Sequence, residues 1–259
     1  VMSKLKVSVL QTDIIWENAE ENLKNYNKLI LQNPGSDLYV LPEMFNSGFT
    51  NNVYGCAEDD NGKSLTTLSE ISRISGAAIA TSLILKENDL FYNVFVFVKP
   101  DGRIIKYNKR HLFKLGGEGK MFTKGSERVV FEFRGFKILF QVCYDLRFPV
   151  WSRNTEGYDL MINVASWPIE RRKMFDILLR ARAIENLCYV VGCNRIGIDG
   201  NNLFYTGGSC IIDPKGEYIA LANDEQEEII TATLDTDTIQ EYRKSFPALD
   251  DKDDFNILV

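Results

Sequence analysis

Two observations predict a layered α/β fold. Short apolar runs alternate along the chain with segments whose apolar residues recur at helical spacing. Most of those runs are apolar at nearly every position, which marks strands covered on one face by helices and on the other by a second apolar layer. The 259 residues contain no Ser/Gly- or Pro-rich linker and no fixed-period repeat, so one domain spanning residues 1–259 is expected.

The elements follow in order. Leu5–Gln11 reads as a strand, and Asn18–Leu31 as a helix with Leu23, Tyr26, Leu29 and Ile30 on one face. The turn Asn33-Pro34-Gly35-Ser36 leads into a strand, Leu38–Pro42, that delivers Glu43. A helix over Ser64–Ser75 precedes the strand Ala77–Ile84. Phe91–Val98 and Ile104–Tyr107 form a hairpin across Pro100-Asp101-Gly102. The second half rhymes with the first: strands Val129–Phe133 and Lys137–Val142 around Arg134-Gly135, a helix Arg147–Glu156, a strand Leu160–Val164, a long helix Arg171–Leu187 and a strand Cys188–Cys193. Strands near Gly208–Ile212 and Ile229–Leu234 follow, with Asp213-Pro214-Lys215-Gly216 as a hairpin turn.

A hydrophobic share of 45%, a charged share of 25% and a net charge of −6 describe an ordinary globular protein and argue against nucleic acid as the main partner. No apolar run is long enough to span a bilayer, and no basic N-terminal region precedes a long apolar one, so no membrane partner and a cytoplasmic location are expected. Five widely spaced cysteines and one histidine, with no Cys-x-x-Cys pair, suggest neither a disulfide framework nor a metal site. Cys188, Cys193 and Cys210 fall on apolar strands and read as core.

Three strand ends offer chemistry: Glu43, Lys109 after Arg103–Asn108, and Cys143 after Phe136–Val142. A thiol attacks only as thiolate and needs a base or a positive charge beside it. Either His111 pairs with Cys143, or Glu43 acts as base while Lys109 supplies charge. Lys109 and His111, two apart, share a strand face, and periodicity leaves both chemistries open.

The segments Leu41-Pro42-Glu43-Met44-Phe45, Tyr107-Asn108-Lys109-Arg110-His111-Leu112-Phe113, Cys143-Tyr144-Asp145-Leu146-Arg147-Phe148-Pro149 and Arg180-Ala181-Arg182-Ala183-Ile184-Glu185-Asn186 resemble, in family order, the signature blocks of the nitrilase superfamily of carbon–nitrogen hydrolases. Cys143–Asn154 and Cys193-Asn194-Arg195-Ile196-Gly197 are most similar to its bacterial ω-amidase branch. The resemblance implies a four-layer α-β-β-α sandwich and a catalytic triad of Glu43, Lys109 and Cys143. In these roles Glu43 moves the proton, and Lys109 with the Tyr144 N–H stabilises the oxyanion. Glu118, in a glycine-rich stretch, matches a further carboxylate expected to orient the substrate amide or hold Lys109. His111 then becomes a structural group, Arg147 a holder of the nucleophile helix through Asp145 or a nearby acid, away from substrate, and Arg180, Arg182 and Glu185 structural ion pairs.

The implied activity is hydrolysis of the terminal amide of a small dicarboxylate monoamide such as 2-oxoglutaramate, through a cysteine thioester, with water as co-substrate and no cofactor. Hydrolysis of N-carbamoyl amino acids or other aliphatic amides, and a catalytically silent binding protein, are the alternatives. The substrate's far carboxylate calls for an arginine, Arg171 or Arg172, with Trp167, Phe113 and Met44 as apolar walls. A homodimer is also implied, through Trp151–Asn154, the Arg171–Leu187 helix and the Phe246-Pro247-Ala248-Leu249 segment.

Overall fold

The computed structural model describes residues 3–258. The first half runs β1 (Lys4–Gln11), α1 (Ala19–Gln32), β2 (Leu38–Val40), a single turn α2 (Val53–Cys56), α3 (Lys63–Ser75), β3 (Ala78–Glu87), β4 (Leu90–Val98) and β5 (Ile104–Asn108). The second half runs α4 (Glu118–Met121), β6 (Val130–Phe133), β7 (Phe136–Val142), α5 (Pro149–Ser152), β8 (Leu160–Ala165), α6 (Arg172–Asn186) and β9 (Tyr189–Asn194). The chain finishes with β10 (Ile196–Ile198), β11 (Phe204–Thr206), β12 (Cys210–Ile212), β13 (Tyr218–Leu221), β14 (Glu228–Asp235) and α7 (Thr236–Ser245).

Two six-stranded sheets form, ordered β14-β1-β2-β3-β4-β5 and β13-β12-β9-β8-β7-β6. The orders match strand for strand. Each sheet has three parallel strands, β1-β2-β3 or β7-β8-β9, with one antiparallel strand on one side and two on the other. The rhyme between the halves is therefore a repeat of topology, invisible as a repeat of residues. Tight turns fit the pattern: Arg134 and Gly135 both have positive φ between β6 and β7, as a two-residue hairpin requires.

Four layers follow from which faces are apolar. Leu23, Tyr26 and Ile30 of α1 and Leu65, Leu68 and Ile71 of α3 pack on Leu10, Tyr39, Ile79 and Leu83. The sheets meet face to face, with Phe140 of β7 stacked on Phe95 and Phe97 of β4 at centroid distances of 4.5 and 5.6 Å. On the far side α6 covers the second sheet with Phe175, Leu179 and Ala183. Gly192 of β9 allows this approach, since a Cβ there would stand 2.4 Å from Leu179 Cδ1. Among the described residues no helix is long and apolar enough to cross a membrane.

Two helical segments and three short strands depart from expectation. The helix expected over Arg147–Glu156 is a 3-10 turn, Cys143–Arg147, followed by the single turn α5. Pro149 starts α5, and the Asn154 side chain ends it by bonding both the N–H and the C=O of Tyr158. The helix α7 was not expected, because only Thr236 and Ile239 are buried in it and its sequence carries almost no apolar stripe. The strands β10, β11 and β13 were likewise too short or too exposed to read.

Candidate active site

The carboxyl ends of parallel strands β2, β7 and β8 converge, a common place for sites in such sheets. Topologically equivalent β2 and β8 meet end to end. The Ser166 N–H, just past β8, donates to Glu43 Oε2 at 2.9 Å, and the Glu43 N–H reaches the Ala165 carbonyl at 3.4 Å. Cys143 Sγ–H donates to the carbonyl of the same Ser166 at 3.8 Å. Glu43 and Cys143 are thus brought to opposite sides of one residue.

Cys143 has φ of +43°, a strained conformation for a non-glycine residue that costs about 1–3 kcal/mol and persists only when its surroundings over-determine it. The surroundings do. Buried Asp145 accepts the N–H groups of Val142 (3.0 Å) and His111 (3.0 Å), the Tyr107 hydroxyl (2.7 Å) and His111 Nδ1 (2.8 Å). Arg182 donates to the Leu146 carbonyl at 2.6 Å while pairing with Glu185 at 3.0 Å, and Asn163 donates to the Cys143 carbonyl at 3.3 Å. His111, stacked on Phe148 at 3.7 Å, is engaged in this scaffold. Arg147 does not bond Asp145 as the sequence suggested; its guanidinium lies 5.1 Å from the Trp167 ring centroid and faces the cavity.

Lys109, past β5, is buried with Glu43 and Glu118. Its Nζ lies 3.0 Å from Glu43 Oε1 and 3.0 and 2.9 Å from the two Glu118 oxygens. Glu118 begins the single turn α4 and accepts the Phe113 N–H at 2.6 Å, so the glycine-rich stretch is held at its carboxylate. Burial lowers the proton affinity of Lys109, but the carboxylates of Glu118 and Glu43 outweigh it and the ammonium is held charged. Burial pushes Glu43 above the ordinary glutamate value, against the pull of Lys109 and with the push of Glu118. Burial, then the charge of Glu43, raises the Cys143 thiol well above its usual value. At rest Cys143 carries a protonated thiol, and such a thiol attacks only after giving its proton to a base.

A cavity of about 260 Å³ has Cys143 in its wall with Phe49, Phe113, Ser166, Arg171 and Tyr205. A narrower arm is lined by Tyr144, Arg147 and Trp167 as well as Cys143 and Arg171. Phe113, Tyr144, Trp167 and Arg171 are therefore placed together around the thiol. Met44 is not: with φ of +47° it turns into a small core with Val53, Ile84 and Phe122 beneath the site, and Phe49 stands in the wall. Arg172 is engaged by Asp176 (2.7 Å), Asp224 (2.8 Å) and Thr206 (3.1 Å). Among the described residues no carboxylate lies within 4 Å of Arg171 or Arg147. Sequence reasoning missed Arg147, Phe49 and Asn93; only Arg147, beside the signature cysteine, carried a signal that could have been followed.

A thiol on a strained strand end, with a buried carboxylate and ammonium beside it, lies between two sandwiched sheets, and this architecture is that of a hydrolase of the nitrilase fold. The comparisons agree. The chain belongs to the carbon–nitrogen hydrolase family, whose sequence profile matches residues 6–244. It is 45% identical over 257 residues to the omega-amidase YafV of Yersinia enterocolitica, covering 99% of this chain and 100% of that one. It is 37% identical to a 2-oxoglutaramate amidase of Bacillus subtilis, covering 96% and 97%. XC1258 of Xanthomonas campestris, a CN-hydrolase superfamily protein whose crystal structure carries an arsenic adduct in the active site, matches with a TM-score of 0.96 at 40% identity, over 98% and 99% of the two chains.

Proposed function

We propose that the protein is an ω-amidase: it hydrolyses the terminal amide of a small dicarboxylate monoamide, of the 2-oxoglutaramate kind, to ammonia and the dicarboxylate. The observation that carries this reading is a shared cavity, with Cys143 beside its buried Glu43–Lys109–Glu118 cluster at one place and, at another, Arg147 and Arg171, which have no carboxylate partner among the described residues. Full-length similarity to an omega-amidase and a 2-oxoglutaramate amidase supports it.

In this mechanism Glu43 takes the Cys143 proton as Sγ attacks the amide carbon. The oxyanion is met by Lys109 Nζ and by the N–H of Tyr144, which lies in the first turn of a helix where N–H groups lack helical partners. An ammonium has three N–H donors; with one on Glu43 and one shared between the two Glu118 oxygens, the third serves the oxyanion. Glu43 returns its proton to the leaving nitrogen, ammonia departs and a thioester remains on Cys143. Glu43 then activates water, and hydrolysis releases the acid and regenerates the thiol. Two protonation states of one carboxylate serve both halves, which suits a glutamate whose proton affinity is raised by burial.

Arg171 and Arg147 receive the far carboxylate, while Phe113, Tyr144 and Trp167 exclude water. Lys109 needs its two carboxylates for a physical reason: a lone buried ammonium would lose its proton. The subunits pair through α5 and α6, a reading supported by exposed Val150, Met174, Ile177 and Ile184 and tested by light scattering. The test of the activity is ammonia release from 2-oxoglutaramate and a panel of short ω-amides and N-carbamoyl amino acids. The reading expects ω-amides to turn over fastest and is overturned if carbamoyl substrates do.

A further inference from the structure

Asn93 interrupts an apolar strand. It is fully buried on β4, followed by the buried run Val94–Val98. Its side-chain amide donates to Glu43 Oε1 at 2.8 Å and to Glu118 Oε1 at 3.0 Å. The same two oxygens each lie 3.0 Å from Lys109 Nζ. Lys109 Nζ, Glu43 Oε1, Asn93 Nδ2 and Glu118 Oε1 therefore close a four-atom ring in which donors and acceptors alternate. The Asn93 carbonyl also accepts the Lys109 N–H at 2.9 Å, so one residue fixes backbone and side chain of the cluster.

We infer that Asn93 is a positioning residue that locks the two carboxylates to each other and to Lys109, and so sets the pH at which Glu43 can take the Cys143 proton. One ammonium cannot neutralise two carboxylates in a buried site, and the excess negative charge favours protonation. Two N–H donors from a neutral amide offset that push without a second cation, which would hold Glu43 ionised and weaken it as a base. The amide can face the cluster only with its nitrogen, because its oxygen would be repelled by both carboxylates. The groups facing Glu43 are Lys109, Glu118, Cys143 and the Ser166 N–H; of these only Cys143 has a proton to give in the reaction. The inference rests on Glu43 as the base.

Asn93→Ala removes both donors, and Asn93→Ser keeps at most one. The acid limb of kcat against pH is expected to move upward by about one unit in the alanine variant, the scale of one hydrogen bond to a charged acceptor, and by less in the serine variant. KM changes less than about threefold, and kcat recovers at alkaline pH. A purely structural role predicts instead an unmoved limb and activity lost in proportion to unfolded protein, and that result overturns the inference. A second readout does not depend on catalysis: 13Cδ NMR titration of Glu43, assigned with Glu43→Gln, must show its midpoint raised in whichever variant folds. Should Glu43→Gln retain activity, the role of Glu43 as base fails, and the titration still decides whether Asn93 sets its proton affinity.

Discussion

Replacing Lys109 by methionine tests the electrostatics of the site most severely. The substitution keeps an unbranched side chain one atom shorter and deletes its charge. Lys109 Nζ makes three contacts of 2.9–3.0 Å with two carboxylates, all three groups without solvent exposure of their side chains. Removing one partner of a buried pair costs about 3–5 kcal/mol, because the other charge is left uncompensated. Two carboxylates are left here, and their escape is to hold protons. Unfolded chains release those protons near the ordinary glutamate value of 4.5. A native state that keeps them to higher pH binds more protons than the unfolded state, so stability falls as pH rises, by up to about 1.4 kcal/mol per pH unit for each carboxyl. Urea denaturation of Lys109→Met and wild type at about pH 5 and pH 8 reads this directly. The expected deficit is about 3–5 kcal/mol at the higher pH and distinctly smaller at the lower. A deficit below about 1 kcal/mol that is the same at both would refute the buried-cluster reasoning.

Arg171→Gln and Arg147→Gln should each raise KM for an anionic ω-amide about 10–100-fold with kcat little changed, the scale of charge-assisted hydrogen bonds; a neutral aliphatic amide of similar length should be insensitive, and equal effects on both would point to a packing role. His111→Asn should keep kcat within about tenfold of wild type while lowering the melting temperature, since His111 serves Asp145; loss of activity together with a fully active Glu43→Gln would restore the Cys–His alternative. Gly192→Ala should destabilise by about 1–3 kcal/mol in a melting or urea experiment, because its Cβ would press Leu179 at 2.4 Å; an unchanged melting temperature would mean that α6 is free to shift.

What was legible in the sequence follows from what periodicity can carry. Apolar runs such as Ala77–Ile84 and Phe136–Val142 declare buried strands, and three of them end in Glu43, Lys109 and Cys143. The structure gathers those residues with Glu118 into one place, although the chain separates Glu43 from Cys143 by most of the first half. Met44 could not be placed from sequence, because a positive φ at a non-glycine residue turns its side chain away from the face that alternation assigns. Asn93 was hidden for a similar reason: within Phe91–Val98 it looks like one polar position on a hairpin, and its meaning lies in two carboxylates from distant segments. For Arg147 the sequence offers Asp145 or a nearby acid as partner, yet Tyr107, His111 and Val142 already fill the Asp145 carboxylate. The polar α7 has its buried side in Ile239 and its N-cap in Asp235, too little for a helical stripe.

The central claim is that Cys143 becomes acylated with Glu43 as its base. Rapid acid quench of the protein with 2-oxoglutaramate, followed by mass spectrometry of the peptides, tests it most directly. The account predicts a 2-oxoglutaryl thioester on the peptide containing Cys143, formed with the first equivalent of ammonia, absent from Cys143→Ala and strongly slowed in Glu43→Gln. Ammonia release that persists in Cys143→Ala, or an acyl group found on any other residue, would contradict it.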